Sequence, residues 1–339
     1  MLGCPQQNCR LTADRSLLAD VREYDAIIFH QAATHTWYTD FPATRHPAQR
    51  YVFYTLESPA HASYGNTNTT LGSLNSVFNL TMSHRRDSDI WAPYGIFIEH
   101  NTPPSGRSLE NTIKEFGIRN SHLADTKERD AFQIVSDCAT EAGREEVTAA
   151  LARRMKVDVF GKCGPLGPEN IAFIDCKGEA CSRDLGKKYR FYLAFENSMC
   201  GDYVTEKLYK VMRQDIIPVV LSGASMDSLA PPHSYISVTD FATIDQLAAY
   251  LLEVARDREL FASYFWWREF YRVVDLRWMS WSMHSLYWCS LCDTLWSLGG
   301  RTRVVHDLHK FWVEQARCKF VLVDSLDPGG SGVFELDDW

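Results

Sequence analysis

The chain has 339 residues, of which 45% are hydrophobic and 23% charged, with a formal net charge of -8 at pH 7. That is enough apolar chain for two domains of ordinary size and too much for one small core. An acidic surface of this kind also makes nucleic acid a poor partner.

In chain order, residues 26–29 (AIIF) and 51–56 (YVFYTL) are rich in β-branched and aromatic side chains and read as short buried strands, each followed by a polar loop. From residue 131 the rhythm changes. A strand (AFQIV) is followed by a helix on which Val147, Leu151 and Met155 recur every four residues, and then by a strand at 157–160, which makes a βαβ unit. A strand at 191–195, a helix from about Thr205 to Met212, a strand at 216–221 and an amphipathic helix carrying Leu247, Leu251 and Leu252 extend the series. This alternation predicts the α/β class, with parallel sheets covered by helices. Ligands of such sheets bind beyond the carboxyl ends of the strands, where Glu57, Glu196 and Asn197 stand. Gly161, Gly164 and Gly167 do not have phosphate-loop spacing, and Pro165 and Pro168 preclude an immediate helix, so a loop pinned through Cys163 is expected there. Residues 325–339 are Gly- and Asp-rich without a period and read as a flexible acidic tail.

Ten cysteines lie near the start (Cys4, Cys9), in the middle (Cys138, Cys163, Cys176, Cys181, Cys200) and near the end (Cys289, Cys292, Cys318). An even number spread this way suits disulfides, although Cys289-x-x-Cys292 alone would equally suit half a zinc site or a redox pair. Asn68-Thr69-Thr70 and Asn79-Leu80-Thr81 permit N-glycosylation. No apolar run approaches the ~20 residues of a membrane span, and Met1-Leu2-Gly3-Cys4 is no signal peptide, so the chain as given is expected to be soluble.

The most specific stretch is residues 191–221, FYLAFENSMCGDYVTEKLYKVMRQDIIPVVL, in which a strand delivers Glu196-Asn197 and a helix opens at Thr205-Glu206-Lys207. It resembles the signature of the α1,3-fucosyltransferases, glycosyltransferase family ten. Four other stretches match that family in order: residues 8–16 (NCRLTADRS), 56–59 (LESP), 78–82 (FNLTM) with 85–90 (RRDSDI), and 287–292 (YWCSLC). The resemblance implies a GT-B fold, two Rossmann-like domains facing across a cleft. Its boundaries would be an acceptor-side domain at 1–127, a GDP-fucose-binding domain at 128–271, a segment at 272–320 returning to the first domain, and the tail at 321–339.

The activity implied is inverting transfer of fucose from GDP-fucose to the 3-hydroxyl of GlcNAc in glycoprotein glycans. The stretch from Cys163 to Cys200 looks closer to invertebrate core-type enzymes, which favours the N-glycan core slightly over an antennal, Lewis-type acceptor. The resemblance also implies bonds from Cys4 and Cys9 to Cys289 and Cys292, in an order left open. The pairing of the other six, Cys138, Cys163, Cys176, Cys181, Cys200 and Cys318, is left open, six allowing fifteen connectivities. No cofactor is required, with Mn2+ a stimulant at most. The setting implied is the Golgi lumen, the membrane being reached only through an N-terminal anchor outside this sequence.

A nucleotide sugar presents a diphosphate, a ribose diol and a base, which call for cations, carboxylates and aromatic or backbone contacts. Ten Trp, fifteen Tyr and eighteen Phe also suit stacking on sugar faces. Lys207 can meet the diphosphate and Glu206 the ribose hydroxyls; an ordinary helix opening would use the same two residues. Arg144, whose fork suits phosphate, matches the family's donor arginine; otherwise it is a surface residue pairing with Glu141 or Glu145. Tyr192, Glu196 and Asn197 resemble further donor-pocket positions, against a core tyrosine and a strand-end cap. Glu57, from the LESP match, is implied to be the general base that deprotonates the acceptor hydroxyl; without the match it is a loop residue before Ser-Pro.

Asp87-Ser88-Asp89 also fits the metal motif of an unrelated, metal-dependent transferase fold, but Arg85 and Arg86 beside it offer internal partners and no metal site is expected. His84 departs from the Tyr that relatives often carry there. A non-catalytic glycan-binding derivative of the fold is the remaining alternative, and the presence of Glu57, Arg144 and Lys207 argues against it.

Overall fold

The computed structural model describes residues 4–30, 41–62, 71–163, 178–276, 286–323 and 334–338. They divide into two compact units, each described by itself. One comprises Met1–Tyr94, Cys200–Tyr203 and Leu276–Arg317, and the other Gly95–Met199, Val204–Asp275 and Cys318–Trp339.

The first unit is built on four parallel strands, β1 (Ala26–His30), β2 (Arg50–Thr55), β3 (Leu80–Ser83) and β4 (Ile90–Trp91), in that spatial order. Every residue of β2 is buried, as expected of an inner parallel strand covered on both faces. Its side chains alternate between two cores, with period two. Val52 and Tyr54 pack with Leu80, Met82 and Ile90 against Tyr287, Trp288 and Leu291 of helix Leu286–Leu298. Tyr51 and Phe53 pack with Phe29, Leu74 and Phe78 against Leu308 and Trp312 of helix Leu308–Trp312. Two disulfides, Cys4–Cys289 and Cys9–Cys292, fasten the first residues to the Leu286–Leu298 helix. This pairing fills in the order that the sequence left open.

The second unit carries a five-stranded parallel sheet of β6 (Arg129–Ile134), β7 (Val157–Phe160), β8 (Tyr189–Phe195), β9 (Ile217–Leu221) and β10 (Ile236–Ser237), in the order β10-β9-β8-β6-β7. β8 is central and almost wholly buried. Helices Arg144–Ala152, Glu206–Val211 and Ile244–Arg256 accompany it, the last capped by Thr243, whose hydroxyl accepts from Gln246 N. The α/β class and its parallel sheets are therefore as read from the sequence.

The boundaries differ from that reading. The chain passes to the second unit at Gly95 rather than at residue 128, because β5 (Gly95–Glu99) pairs antiparallel with β11 (Tyr271–Asp275). Helix Gly106–Arg119 belongs there too and packs closely on helix Arg258–Ser263. A Cβ on Gly117 would lie 2.4 Å from the Glu259 carbonyl oxygen. The return to the first unit covers Leu276–Arg317, and from Cys318 the chain is in the second again. The expected tail contains a strand: β13 (Phe334–Asp338) pairs antiparallel with β12 (Lys319–Val323). Alternation in FELDD is the local cause, one the Gly and Asp content around it obscures.

Candidate active site

In the second unit, β8 ends at Phe195 and hands the chain to Glu196, which is 1% exposed. A carboxylate so buried must be paired. Its Oε1 accepts from Thr205 N at 2.8 Å, and its Oε2 lies 2.8 Å from both Thr205 Oγ1 and Lys207 Nζ. Thr205 caps helix Glu206–Val211, and its hydroxyl also accepts from Lys207 Nζ at 2.8 Å. Two of the three ammonium donors of Lys207 are used in this way, which leaves one. Burial alone would pull the Lys207 ammonium below the ordinary lysine value, but the carboxylates of Glu196 and Glu206 outweigh it and hold it above. It is a fixed positive charge.

Arg144 opens helix Arg144–Ala152 and is buried, not a surface residue. Its Nε donates to Glu145 at 3.0 Å, one terminal nitrogen to the Asp137 carbonyl at 2.8 Å and the other to the Phe195 carbonyl at 3.4 Å. Three of five N–H groups are thereby used and two remain. The bond to Phe195 brings Arg144 beside Glu196, and the Asn197 carbonyl accepts from Ala142 N two residues before the arginine. Tyr192 is buried on β8, where burial first and the Glu206 and Glu196 carboxylates next keep its phenol protonated. Five of the six residues read as donor-side from the sequence thus lie at or near the carboxyl end of β8, and Tyr192 is on the strand itself, within the field of Glu206, Glu196 and Arg144. The buried Glu196 carboxylate is engaged by Thr205 and Lys207, so it positions Lys207 instead of presenting a carboxylate of its own.

In the first unit, Glu57 follows the carboxyl end of β2 and is half-buried. Its Oε2 accepts from the Tyr203 hydroxyl at 3.2 Å. The preceding residue is anchored as well, Tyr94 donating from its hydroxyl to the Leu56 carbonyl at 2.9 Å. His30 at the end of β1 stacks on Tyr54 and is within the field of Glu57; burial lowers its pKa more than that carboxylate raises it. Tyr203 in turn meets the edge of His84, which is fully enclosed between it and Trp312. Burial, reinforced by Arg85, pulls His84 down to about 3, so the ring is neutral at pH 7.

Sequence comparison bears directly on these two sites. The description "Fucosyltransferase, N-terminal" matches residues 2–95, and "Glycosyltransferase family 10 (fucosyltransferase) C-term" matches residues 124–312. The chain belongs to the family 10 fucosyltransferases. Alpha-(1,3)-fucosyltransferase C of Drosophila melanogaster is 34% identical over 327 residues, covering 93% of this chain and 72% of that protein. Alpha-(1,3)-fucosyltransferase fut-6 of Caenorhabditis elegans is 31% identical over 300 residues, covering 86% and 69%. A solved α1,3-fucosyltransferase structure containing GDP-fucose is 17% identical, with a TM-score of 0.42 over 71% of this chain and 68% of that one. The N-terminal match ends where this fucosyltransferase passes from its first unit to its second.

Three other expectations for this fucosyltransferase meet the structure. Asp87 is paired with Arg85, whose guanidinium also binds the Phe311 carbonyl. Asp89 accepts from Thr81 N at 2.8 Å and Thr81 Oγ1 at 2.9 Å and is 2.6 Å from Arg303. The Asp-x-Asp carboxylates are thus engaged by protein groups, and no cluster of three metal-ligating side chains occurs among the described residues. The sequon at Asn79 needs correction. Asn79 is 6% exposed; its Oδ1 accepts from Tyr51 N at 2.8 Å and from Arg45, and its Nδ2 donates to the Arg303 carbonyl at 2.6 Å. An amide this buried and engaged is a structural clamp and not an accessible glycan acceptor. Asn68 lies outside the described residues. Cys163 is bonded to Cys138, and the glycines beyond it also lie outside them.

Thr205 and Tyr203 are the two residues the sequence reading missed. Thr before Glu-Lys at a helix opening is a visible N-cap signal. Tyr203 has none, because its partner is 146 residues away.

Proposed function

We propose that this chain transfers fucose from GDP-fucose to the 3-hydroxyl of N-acetylglucosamine in glycoprotein glycans, by one displacement that inverts the anomeric centre. The acceptor oxygen forms the new bond to the anomeric carbon as the bond to the diphosphate breaks and GDP leaves with the electron pair. Glu57 takes the hydroxyl proton. Lys207 and Arg144, through the donors left to them, meet the charge that develops on the diphosphate. Glu206 accepts from the ribose hydroxyls, and Tyr192 and Asn197 complete the donor pocket.

The observation that carries the reading is the Lys207–Glu196–Thr205 cluster beside Arg144, two cations held in place before any donor arrives. Preorganised charge of this kind replaces solvent reorganisation in the transition state. The names of the Drosophila and Caenorhabditis relatives support the α1,3 linkage. The GlcNAc of the N-glycan core is the acceptor favoured over an antennal one. The disulfides Cys4–Cys289, Cys9–Cys292 and Cys138–Cys163 fit an oxidising compartment, and this reading assigns the Golgi lumen, in a type II membrane protein.

A glycan array incubated with labelled GDP-fucose, with and without chelator, tests the proposal. Label on GlcNAc-containing glycans in both conditions, strongest on core structures, is expected. GDP release without glycan labelling would contradict transfer, loss of label in chelator would contradict the metal-free mechanism, and label on antennal glycans alone would overturn the core preference.

A further inference from the structure

The donor-side arginine is held by a loop, and that loop is covalently tied down. β6 and β7 run parallel in register to Ile134 and Phe160, and Val135 N still donates to the Phe160 carbonyl one residue beyond. There the two segments approach closely: Gly161 adopts φ +96°, and a Cβ on it would fall 2.1 Å from the Val135 carbonyl oxygen. Three residues past β7, Cys163 is buried and bonded to Cys138, four residues past β6. The bond therefore closes the carboxyl ends of two adjacent parallel strands, the edge at which such sheets receive ligands.

What it closes has a specific content. Asp137, next to Cys138, supplies the carbonyl that accepts from Arg144 at 2.8 Å. Thr140 in the same loop donates to the Glu145 carboxylate at 2.9 Å, and that carboxylate accepts from Arg144 Nε at 3.0 Å. Gly143, at φ +65°, then turns the chain into the helix that Arg144 opens. Two of the three groups orienting the guanidinium thus belong to or are gripped by residues 137–140, while the third, the Phe195 carbonyl, is on β8. A fork-shaped cation binds a diphosphate well only when its plane is fixed. A loop free at its strand ends would let the Asp137 carbonyl wander.

We propose that the Cys138–Cys163 disulfide is a positioning element for donor binding: by tying the loop after β6 to the loop after β7, it fixes the Asp137 carbonyl and, through it, the plane of the Arg144 guanidinium. The inference rests on the reading of Arg144 as a diphosphate contact. Its test is a double-mutant cycle on GDP affinity, measured by calorimetry, between Arg144→Ala and the pair Cys138→Ser with Cys163→Ser; the pair Cys138→Ala with Cys163→Val serves as a second, more apolar version. In the wild-type background, either cysteine pair is expected to weaken GDP about tenfold, the equivalent of about 1.4 kcal/mol. In the Arg144→Ala background it is expected to cost nothing further. A purely structural disulfide would instead add the same loss in both backgrounds, or would lower Tm with GDP affinity unchanged, and either result overturns the inference. Wild-type GDP affinity in Arg144→Ala alone would overturn the underlying reading of the arginine, and the inference with it. A large loss in Arg144→Ala with none in either cysteine pair leaves that reading intact and defeats only the role of the disulfide.

Discussion

Glu57 and Glu196 occupy equivalent places in different sheets, each just past the carboxyl end of an inner parallel strand, yet their surroundings make opposite groups of them. Glu196 is 1% exposed and locked by Thr205 and Lys207. Glu57 is half-buried and accepts from a tyrosine hydroxyl 3.2 Å away. A carboxylate whose lone pairs are spoken for by a cation and a helix cap cannot take a proton without breaking the cluster; its contribution is to keep the lysine in place. One that solvent reaches, with only a neutral hydroxyl bonded at the oxygen described, can accept a proton from a ligand. Position at a strand end therefore marks a place for chemistry, and the local pairing decides which chemistry.

The largest effect that sharpens this contrast is on rate. Glu57→Gln keeps the size and hydrogen-bonding shape of the side chain but cannot take a proton, and transfer is expected to fall by ~10² to 10⁴. A rate within about threefold of wild type would assign the base to another group. Next is Glu196→Gln, which leaves the ammonium of Lys207 without its buried counter-charge. Removing one partner of such a pair costs about 3 kcal/mol, read as a fall in unfolding free energy in denaturant. A smaller effect follows for Lys207→Ala or Arg144→Ala, each removing one of the charge-assisted contacts proposed for the diphosphate. GDP is expected to bind less tightly by about 1.5 to 3 kcal/mol per variant, with the acceptor KM unchanged; a shift in acceptor KM alone would put these residues on the other substrate.

The smallest prediction concerns pH. His84 in the first unit is held neutral, with its pKa pulled from 6.5 down to about 3, and His233 in the second is pulled down to about 4, burial being the leading cause in both. A group whose folded pKa lies below its unfolded one contributes stability that is present above the unfolded value and is lost as pH falls toward the folded value. Stability is thus expected to decline from about pH 6.5 toward the values given, and His84→Phe should flatten that slope while leaving the share of His233. An unchanged slope in the variant would mean that His84 is already charged in the folded chain.

Much of this architecture was legible because its signals are local. The βαβ rhythm from residue 131 follows from short apolar runs set between helical spacings, and Glu206-Lys207 at the helix opening after the strand at 191–195 places a carboxylate and a cation side by side. What escaped the sequence depends on distant partners. β5 joins the second unit because it pairs with β11, some 170 residues later, and nothing in GIFIE announces that pairing. Asn79 reads as a sequon over three residues, yet Tyr51 and Arg303 bury its amide. Arg144 looked like either a donor contact or a surface ion pair; it pairs with Glu145 as the second option held, but in a buried setting, because carbonyls at Asp137 and Phe195 complete its shell.

The contrast between the two carboxylates is tested most directly by titrating GDP into Glu57→Gln and Glu196→Gln side by side in a calorimeter. If Glu57 takes the proton and Glu196 holds the donor-side lysine, the first variant binds GDP as the wild type does, and the second binds it at least about tenfold more weakly. Weakened GDP binding in Glu57→Gln, or wild-type binding in Glu196→Gln, would contradict that division of labour.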